Sequence, residues 1–253
     1  MYELSVTYIS ILVVTGFLAG IINTMAGGGS NLTIPALMII GLPPEIANAT
    51  NRVSVLSQTL TATYGFKKQG QLNIADLKAV VGTTIIGGLF GAFFASYMPS
   101  EYLKPTLLGS MSLMAAYILF KPNSILVPDG TIPYTVTERK RSIPMLLLAG
   151  LYGGFIQAGV GFVLIATFVG ALNFDLLRAN AMKVVATVIF TSIALLVFIF
   201  RDQIAWLPGI LLGVGSIAGA QIAVKFAVDV QAKTLKIMVL VMTIFASAAA
   251  FIQ

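Results

Sequence analysis

The sequence predicts an all-α, polytopic membrane protein, and three observations carry that reading. Apolar residues make up 58% of the 253 positions and charged residues only 9%, with a mean hydropathy of +0.96, so the chain has too little polar surface to meet water on all sides. Apolar runs of about 20 residues, the length that spans a bilayer as a helix, recur from one end to the other. Short polar and glycine-rich interruptions fall at matching places in the two halves.

The spans are read as 4–25, 45–66, 75–97, 103–120, 143–163, 175–200, 207–228 and 233–253, about eight in all. The first is retained, because Met1-Tyr2-Glu3 lacks the basic leader of a cleaved signal peptide. It ends in Ala26-Gly27-Gly28-Gly29-Ser30-Asn31, followed by an apolar stretch from Leu32 to Ile40 and then Gly41-Leu42-Pro43-Pro44. That stretch is too short to cross, and three glycines unwind a helix. Unwound backbone at membrane depth survives only where protein buries it or water reaches it, so a re-entrant half-helix lining a cavity is expected.

The second span opens after Pro43-Pro44 and carries Ala47-Asn48-Ala49-Thr50-Asn51-Arg52, with a polar stripe of Asn51, Ser54, Gln58 and Thr61 at helical spacing that suggests a wetted face. The third carries Gly87-Gly88-Leu89-Phe90-Gly91-Ala92, a spacing of small residues that lets helices pack closely in lipid. After the fourth span comes the one long loop, 121–142, with Pro122, Pro128, Asp129-Gly130 and Arg139-Lys140-Arg141. It divides the chain into a first repeat (1–120) and a second (143–253) of four spans each.

The second repeat echoes the first. Gly150-Leu151-Tyr152-Gly153-Gly154 leading into Phe155-Ile156-Gln157 answers Gly16-Phe17-Leu18-Ala19-Gly20 leading into Ile21-Ile22-Asn23, and Ala179-Asn180-Ala181-Met182-Lys183 answers the first polar run. Gly215-Ser216-Ile217-Ala218-Gly219-Ala220 repeats the small-residue seam. A milder break at Ala158-Gly159-Val160-Gly161-Phe162 precedes Val163 to Leu172. Four full crossings per repeat would make the repeats parallel and an odd number would invert them; the sequence leaves both open.

The balance of 15 Lys and Arg against 9 Asp and Glu reflects loop topology rather than nucleic-acid binding. Alternating sides from the N-terminus puts Lys67, Lys68, Lys121, Arg139, Lys140, Arg141 and Arg201 on one side, expected to be cytoplasmic, and with it both termini. A re-entrant segment would change that parity. Without cysteine or histidine and with scattered carboxylates, no metal, cofactor or redox enzyme is expected. Glu45 and Asp175 fall at helix starts, where carboxylates cap.

An arginine or lysine within a span costs about 2.5–3.5 kcal/mol even on insertion scales, which marks Arg52 and Lys183 as functional candidates over side chains that merely reach an interface. A guanidinium presents paired planar donors and an ammonium a compact charge, both suited to a tetrahedral or pyramidal oxyanion. Asn48, Thr50, Asn51 and Asn180 would complete the shell. The broken-helix N-termini, at Gly28, Gly29, Ser30 and Asn31 and at Gln157, Gly159 and Gly161, would present free N–H groups and a positive dipole end to an anion.

The series Gly27-Gly28-Gly29, Ile34-Pro35-Ala36-Leu37, Gly41-Leu42-Pro43-Pro44, Ala47-Asn48-Ala49-Thr50-Asn51-Arg52 and Ala62-Thr63-Tyr64-Gly65-Phe66-Lys67-Lys68 with Gly70 resembles the TauE/SafE family of membrane permeases, which includes sulfite exporters. The family's Gly-Thr-Asn-Lys-like element would fall on Ala49, Thr50, Asn51 and Arg52, with alanine for the usual glycine and arginine for the commoner lysine. The resemblance implies a duplicated helical transporter for sulfite, sulfoacetate or related organosulfonates in the bacterial plasma (inner) membrane. Export by alternating access around a central cationic site is the favoured mechanism, with an anion channel or an ion-coupled importer of organosulfonates as the alternatives. The partners expected are the small anion and the lipid bilayer, with pairing of two copies through the glycine seams left open.

Overall fold

Each half of the chain opens with a helix that stops inside the protein and doubles back. The structure, a computed structural model, describes residues 5–25, 27–72, 77–120 and 131–227. Its helices are α1 (Val6–Met25), α2 (Ser30–Ile39), α3 (Pro44–Lys68), α4 (Leu77–Tyr97), α5 (Ser100–Phe120), α6 (Ser142–Phe155), α7 (Val160–Leu172), α8 (Leu176–Phe200) and α9 (Trp206–Ala227). Among them α1, α4, α8 and α9 are long and apolar enough to cross a membrane, but the expected span 4–25 is corrected, because α1 ends at buried residues 22–25 and the chain turns back there into α2. The expected span 143–163 is instead split, because α6 ends at Phe155 and α7 begins at Val160. The expected span 233–253, and the start of the long loop at 121–130, lie outside the described residues.

Local chemistry sets the turns. α2 ends where Gly41, at φ +94°, donates its N–H to Met38 O (2.9 Å) and Leu42 donates to Leu37 O (3.1 Å), a Schellman pattern that needs a left-handed residue. Pro43 and Pro44 then start α3, with proline in the first turn where its missing N–H costs nothing. Asp175 caps α8 by accepting from Arg178 N at 2.8 Å, as expected. Glu45, in the first turn of α3, accepts from the Ser100 hydroxyl at the start of α5. The described part of the long loop is tied beneath α7: Tyr134 N donates to Leu172 O at 2.8 Å, and Val136 is buried against the cluster of Phe168 and Leu172.

Contacts between helices fix their directions. Gly16 and Gly20 of α1 meet Leu212 and Ser216 of α9, so these helices run parallel. Thr50 and Gly65 of α3 lie against Ala205 and Val224 at opposite ends of α9, so α3 shares that direction. In the same way Gly87 and Gly91 of α4 meet Leu147 and Leu151 of α6, and Gly88 and Ser96 of α4 meet Phe190 and Gln203 near α8, so α4, α6 and α8 run together. Between the groups α3 and α8 are antiparallel: Ala49 clusters with Ala194 and Phe198, whereas Ala62 and Phe66 cluster with Ala181 and Val184.

α2 returns antiparallel to α1, with Ser30 and Thr33 at the level of Asn51 and its far end joining the start of α3. Ten residues of helix rise only about 15 Å, so α1 and α2 enter and leave on one side. α6 and α7 do the same from the other side. The sidedness expected from simple alternation is therefore corrected. Lys67, Lys68, Lys78, Arg139, Lys140, Arg141, Arg178 and Lys225 share one side, while the first turn of α1 lies on the other with Lys104 and Arg201. A re-entrant hairpin consumes two helices without changing side, so α1 begins opposite the basic side and Arg201 moves away from it. The basic side is the one that the positive-inside rule assigns to the cytoplasm.

The glycine seams join the halves. A Cβ placed on Gly91 would lie 2.0 Å from Leu151 O, one on Gly154 2.2 Å from Gly88 O, and one on Gly219 2.1 Å from Phe17 O. These small residues let α4 lie backbone-to-backbone against α6, and α1 against α9. Both seams are consumed within the chain.

Because the chain has no cysteine, single-cysteine labelling with a membrane-impermeant maleimide reads the sidedness directly. Lys68→Cys should react only from the cytoplasmic face and Arg201→Cys only from the opposite face. Reaction of both from one face would restore the alternating arrangement.

Candidate functional site

The two hairpins meet at their tips. At the first, Gly27 (φ +103°) donates its N–H to Ile22 O at 3.1 Å; at the second, Gln157 (φ +65°) donates to Tyr152 O at 3.2 Å. Gln157 thus adopts a left-handed conformation that glycine takes in the first hairpin. Its Nε2 donates to Thr191 Oγ1 of α8 at 3.0 Å, which holds it there. The tips touch through glycine: a Cβ on Gly27 would lie 2.4 Å from Gly161 Cα, and one on Gly161 2.3 Å from Gly27 Cα. Gly28 packs on the Phe162 ring and Gly29 on Ala19 O. Gly159 (φ +75°) is the N-cap of α7.

α1 and α6 end inside the protein, and their last carbonyls need donors. On α6, Asn48 Nδ2 donates to Phe155 O at 3.0 Å. Arg52 donates Nη1 to Gly153 O, and Nη2 to Gly154 O (3.0 Å) and Phe155 O (3.3 Å). On α1, Asn180 Nδ2 donates to Met25 O at 3.0 Å, and Lys183 Nζ to Asn23 O at 2.7 Å and Thr24 O at 3.1 Å. Arg52 also lies 5.5 Å from the Phe198 ring centroid and donates Nη2 to Asn48 Oδ1 at 3.3 Å. Arg52 is 0% exposed and Lys183 2%, so both charges are shielded from water.

At the start of α2, Asn51 Nδ2 donates to Ser30 Oγ at 3.0 Å and its Oδ1 accepts from the Thr33 hydroxyl. Asn31, at 3% exposure, has its Oδ1 buried without a partner among the described residues. The structure therefore brings Asn48, Arg52, Asn180, Lys183, Asn51, Ser30, Gln157, Gly28, Gly29 and Gly161 to the hairpin ends. The two cations do not share one acceptor: each is bound to a different helix end. Thr50 goes elsewhere, its Oγ1 accepting from Ala205 N at 3.0 Å to anchor the start of α9.

The polar stripe also differs from expectation. Asn51, Ser54 and Gln58 are buried in protein, not on a wetted face. Ser54 Oγ donates to Ser216 Oγ at 3.1 Å, which joins α3 to α9. The site residues that sequence reasoning missed are Thr33, Thr191 and Phe198, together with the carbonyls of residues 23–25 and 153–155. A carbonyl carries no residue signature, so only the glycine-rich context could have marked these acceptors.

Replacing Gly161 by alanine drives a methyl group into Gly27 backbone that cannot yield. Thermal denaturation in detergent should show Gly161→Ala losing about 1–3 kcal/mol, whereas Gly170→Ala, with nothing within 4 Å of its Cβ position, stays near wild type. Equal stability of the two variants would mean that the tips do not pack through glycine.

Comparison with known proteins gives this architecture its relatives. Residues 12–250 match the family described as "Sulfite exporter TauE/SafE". A protein of a Sinorhizobium species named probable membrane transporter protein ORF9 is 30% identical over 244 residues, covering 96% of this chain and 92% of the relative. Probable membrane transporter protein YfcA of Escherichia coli K12 is 27% identical over 252 residues, covering 98% and 91%. A probable membrane transporter protein of Haemophilus influenzae is 26% identical over 253 residues, covering 97% and 95%. With a family match along nearly its whole length, relatives of the same extent and long apolar helices, the chain is an integral membrane protein that belongs to the TauE/SafE family of membrane transporters.

Proposed function

We propose that this transporter carries a small sulfur-containing anion, such as sulfite, sulfoacetate or a related organosulfonate, out of the cell across the bacterial plasma (inner) membrane. It works by alternating access of two inverted repeats, 1–120 and 143–253, around the hairpin tips. The observation that carries the proposal is the meeting of two broken helices, entering from opposite sides, at Gly27 and Gly161.

The supporting chemistry is electrostatic. The N-termini of α2 and α7 bring positive dipole ends toward the tips, with the Ser30, Asn31, Thr33 and Asn51 side chains beside the first of them. Arg52 and Lys183 add two full charges within a few residues of the breaks, and no carboxylate is buried among the described residues. Such a centre favours an anion. The description of the family as sulfite exporters supports sulfur chemistry. The backbone contact between the tips supplies a central barrier, which a carrier requires and an open channel lacks.

Export follows from the membrane potential. With the interior negative, each negative charge that leaves gains about 2.3 kcal/mol per 100 mV, so outward movement needs no coupling ion. In proteoliposomes holding the purified protein, labelled sulfite and sulfoacetate should each show saturable flux, driven toward the positive side and competed by the other. Flux that rises linearly without saturation would indicate a channel, and no flux at either sign of the potential, with proton and sodium gradients also imposed, would exclude this substrate class.

A further inference from the structure

We infer that Arg52 and Lys183 are positioning residues that cap the broken helices of the opposite half, and that, remaining as the net charge once the helix ends offset one another, they suit the centre to a doubly charged anion. The second part rests on the carrier reading; the first does not.

The arrangement is the same twice over. In each half an asparagine and a cation about one turn later, Asn48 with Arg52 and Asn180 with Lys183, lie on the long helix after the hairpin. Each pair reaches across to the hairpin of the other half. The first pair takes the carbonyls of Gly153, Gly154 and Phe155, and the second those of Asn23, Thr24 and Met25. Two of the three Lys183 donor positions and both terminal nitrogens of Arg52 are committed to backbone. An anion ligand would instead keep those donors for its substrate.

The consequence is a balance of charge. The ends of α2 and α7 carry about +0.5 each and the ends of α1 and α6 about −0.5 each. The four cancel, and the two side-chain cations remain as the net charge near the tips. A substrate with two negative charges matches that remainder, whereas a single charge leaves half of it uncompensated. The cations thus set which anion is held without having to touch it.

The test uses full-length protein in nanodiscs with no added anion. Hydrogen exchange should show Lys183→Met speeding the last turn of α1 and Arg52→Gln that of α6, each by about tenfold or more for loss of charged hydrogen bonds, with Lys183→Arg and Arg52→Lys largely restored. If either uncharged variant fails to fold, Asn180→Ala and Asn48→Ala should give the same crossed pattern more mildly. Unchanged exchange at the opposite tip would overturn the capping role, whatever happens to transport.

The charge assignment is read by competition between sulfoacetate, a dianion, and methanesulfonate, a monoanion. Wild-type protein should prefer sulfoacetate, and Lys183→Met should reduce that preference by about tenfold. An unaltered preference would overturn the dianion assignment. If neither anion binds, the carrier reading for sulfur anions falls while the exchange pattern still decides the caps.

Discussion

A helix that stops in the middle of a membrane leaves carbonyls pointing into a region with no water to receive them, and the rest of this structure is arranged around that constraint. Each uncapped group there costs several kcal/mol. α1 and α6 both stop in this way, and the donors that satisfy them come from α3 and α8. This requirement brings α3 and α8 together, antiparallel, at the centre. It also explains why these two long helices carry asparagine and cationic side chains at buried positions within their length.

The capping geometry needs close helices, and the glycine seams provide them. At Gly87, Gly91, Gly215 and Gly219 the neighbouring backbone lies where a side chain would begin. In lipid the hydrophobic effect does not draw helices together, so packing of this closeness and occasional polar contacts hold the bundle. Ser54 with Ser216 is one such contact, and Gln203 Nε2 with Ser96 O at 3.0 Å is another. Since α1 packs on α9 and α4 on α6, the first half of the chain is built against the second throughout.

Much of this was legible in the sequence because its signals are local. Composition announces a membrane protein, the Gly27-Gly28-Gly29 run announces a break, and the repeated Ala-Asn-Ala marks the helices that serve it. The break after Phe155 was harder to bound, because its first left-handed residue is Gln157, not a glycine, and its side chain is held by Thr191 some way along the chain. The sidedness of α1 and Arg201 was not legible by counting spans, because a span and a re-entrant arm have the same composition. The partners of Arg52 and Lys183 were not legible at all. A sequence displays the donor, while the acceptor here is a carbonyl common to every residue.

The crossed caps also impose an order in time. α1 and α2 are synthesised first, yet the side chains that finish the end of α1 belong to α8, which leaves the ribosome more than a hundred residues later. During that interval the first hairpin sits in the membrane with its terminal carbonyls waiting, held only by contacts within its own half. Insertion of this protein is therefore completed backwards, the latest helices closing the earliest one, and the opening hairpin is the part of the nascent chain most in need of protection until they arrive.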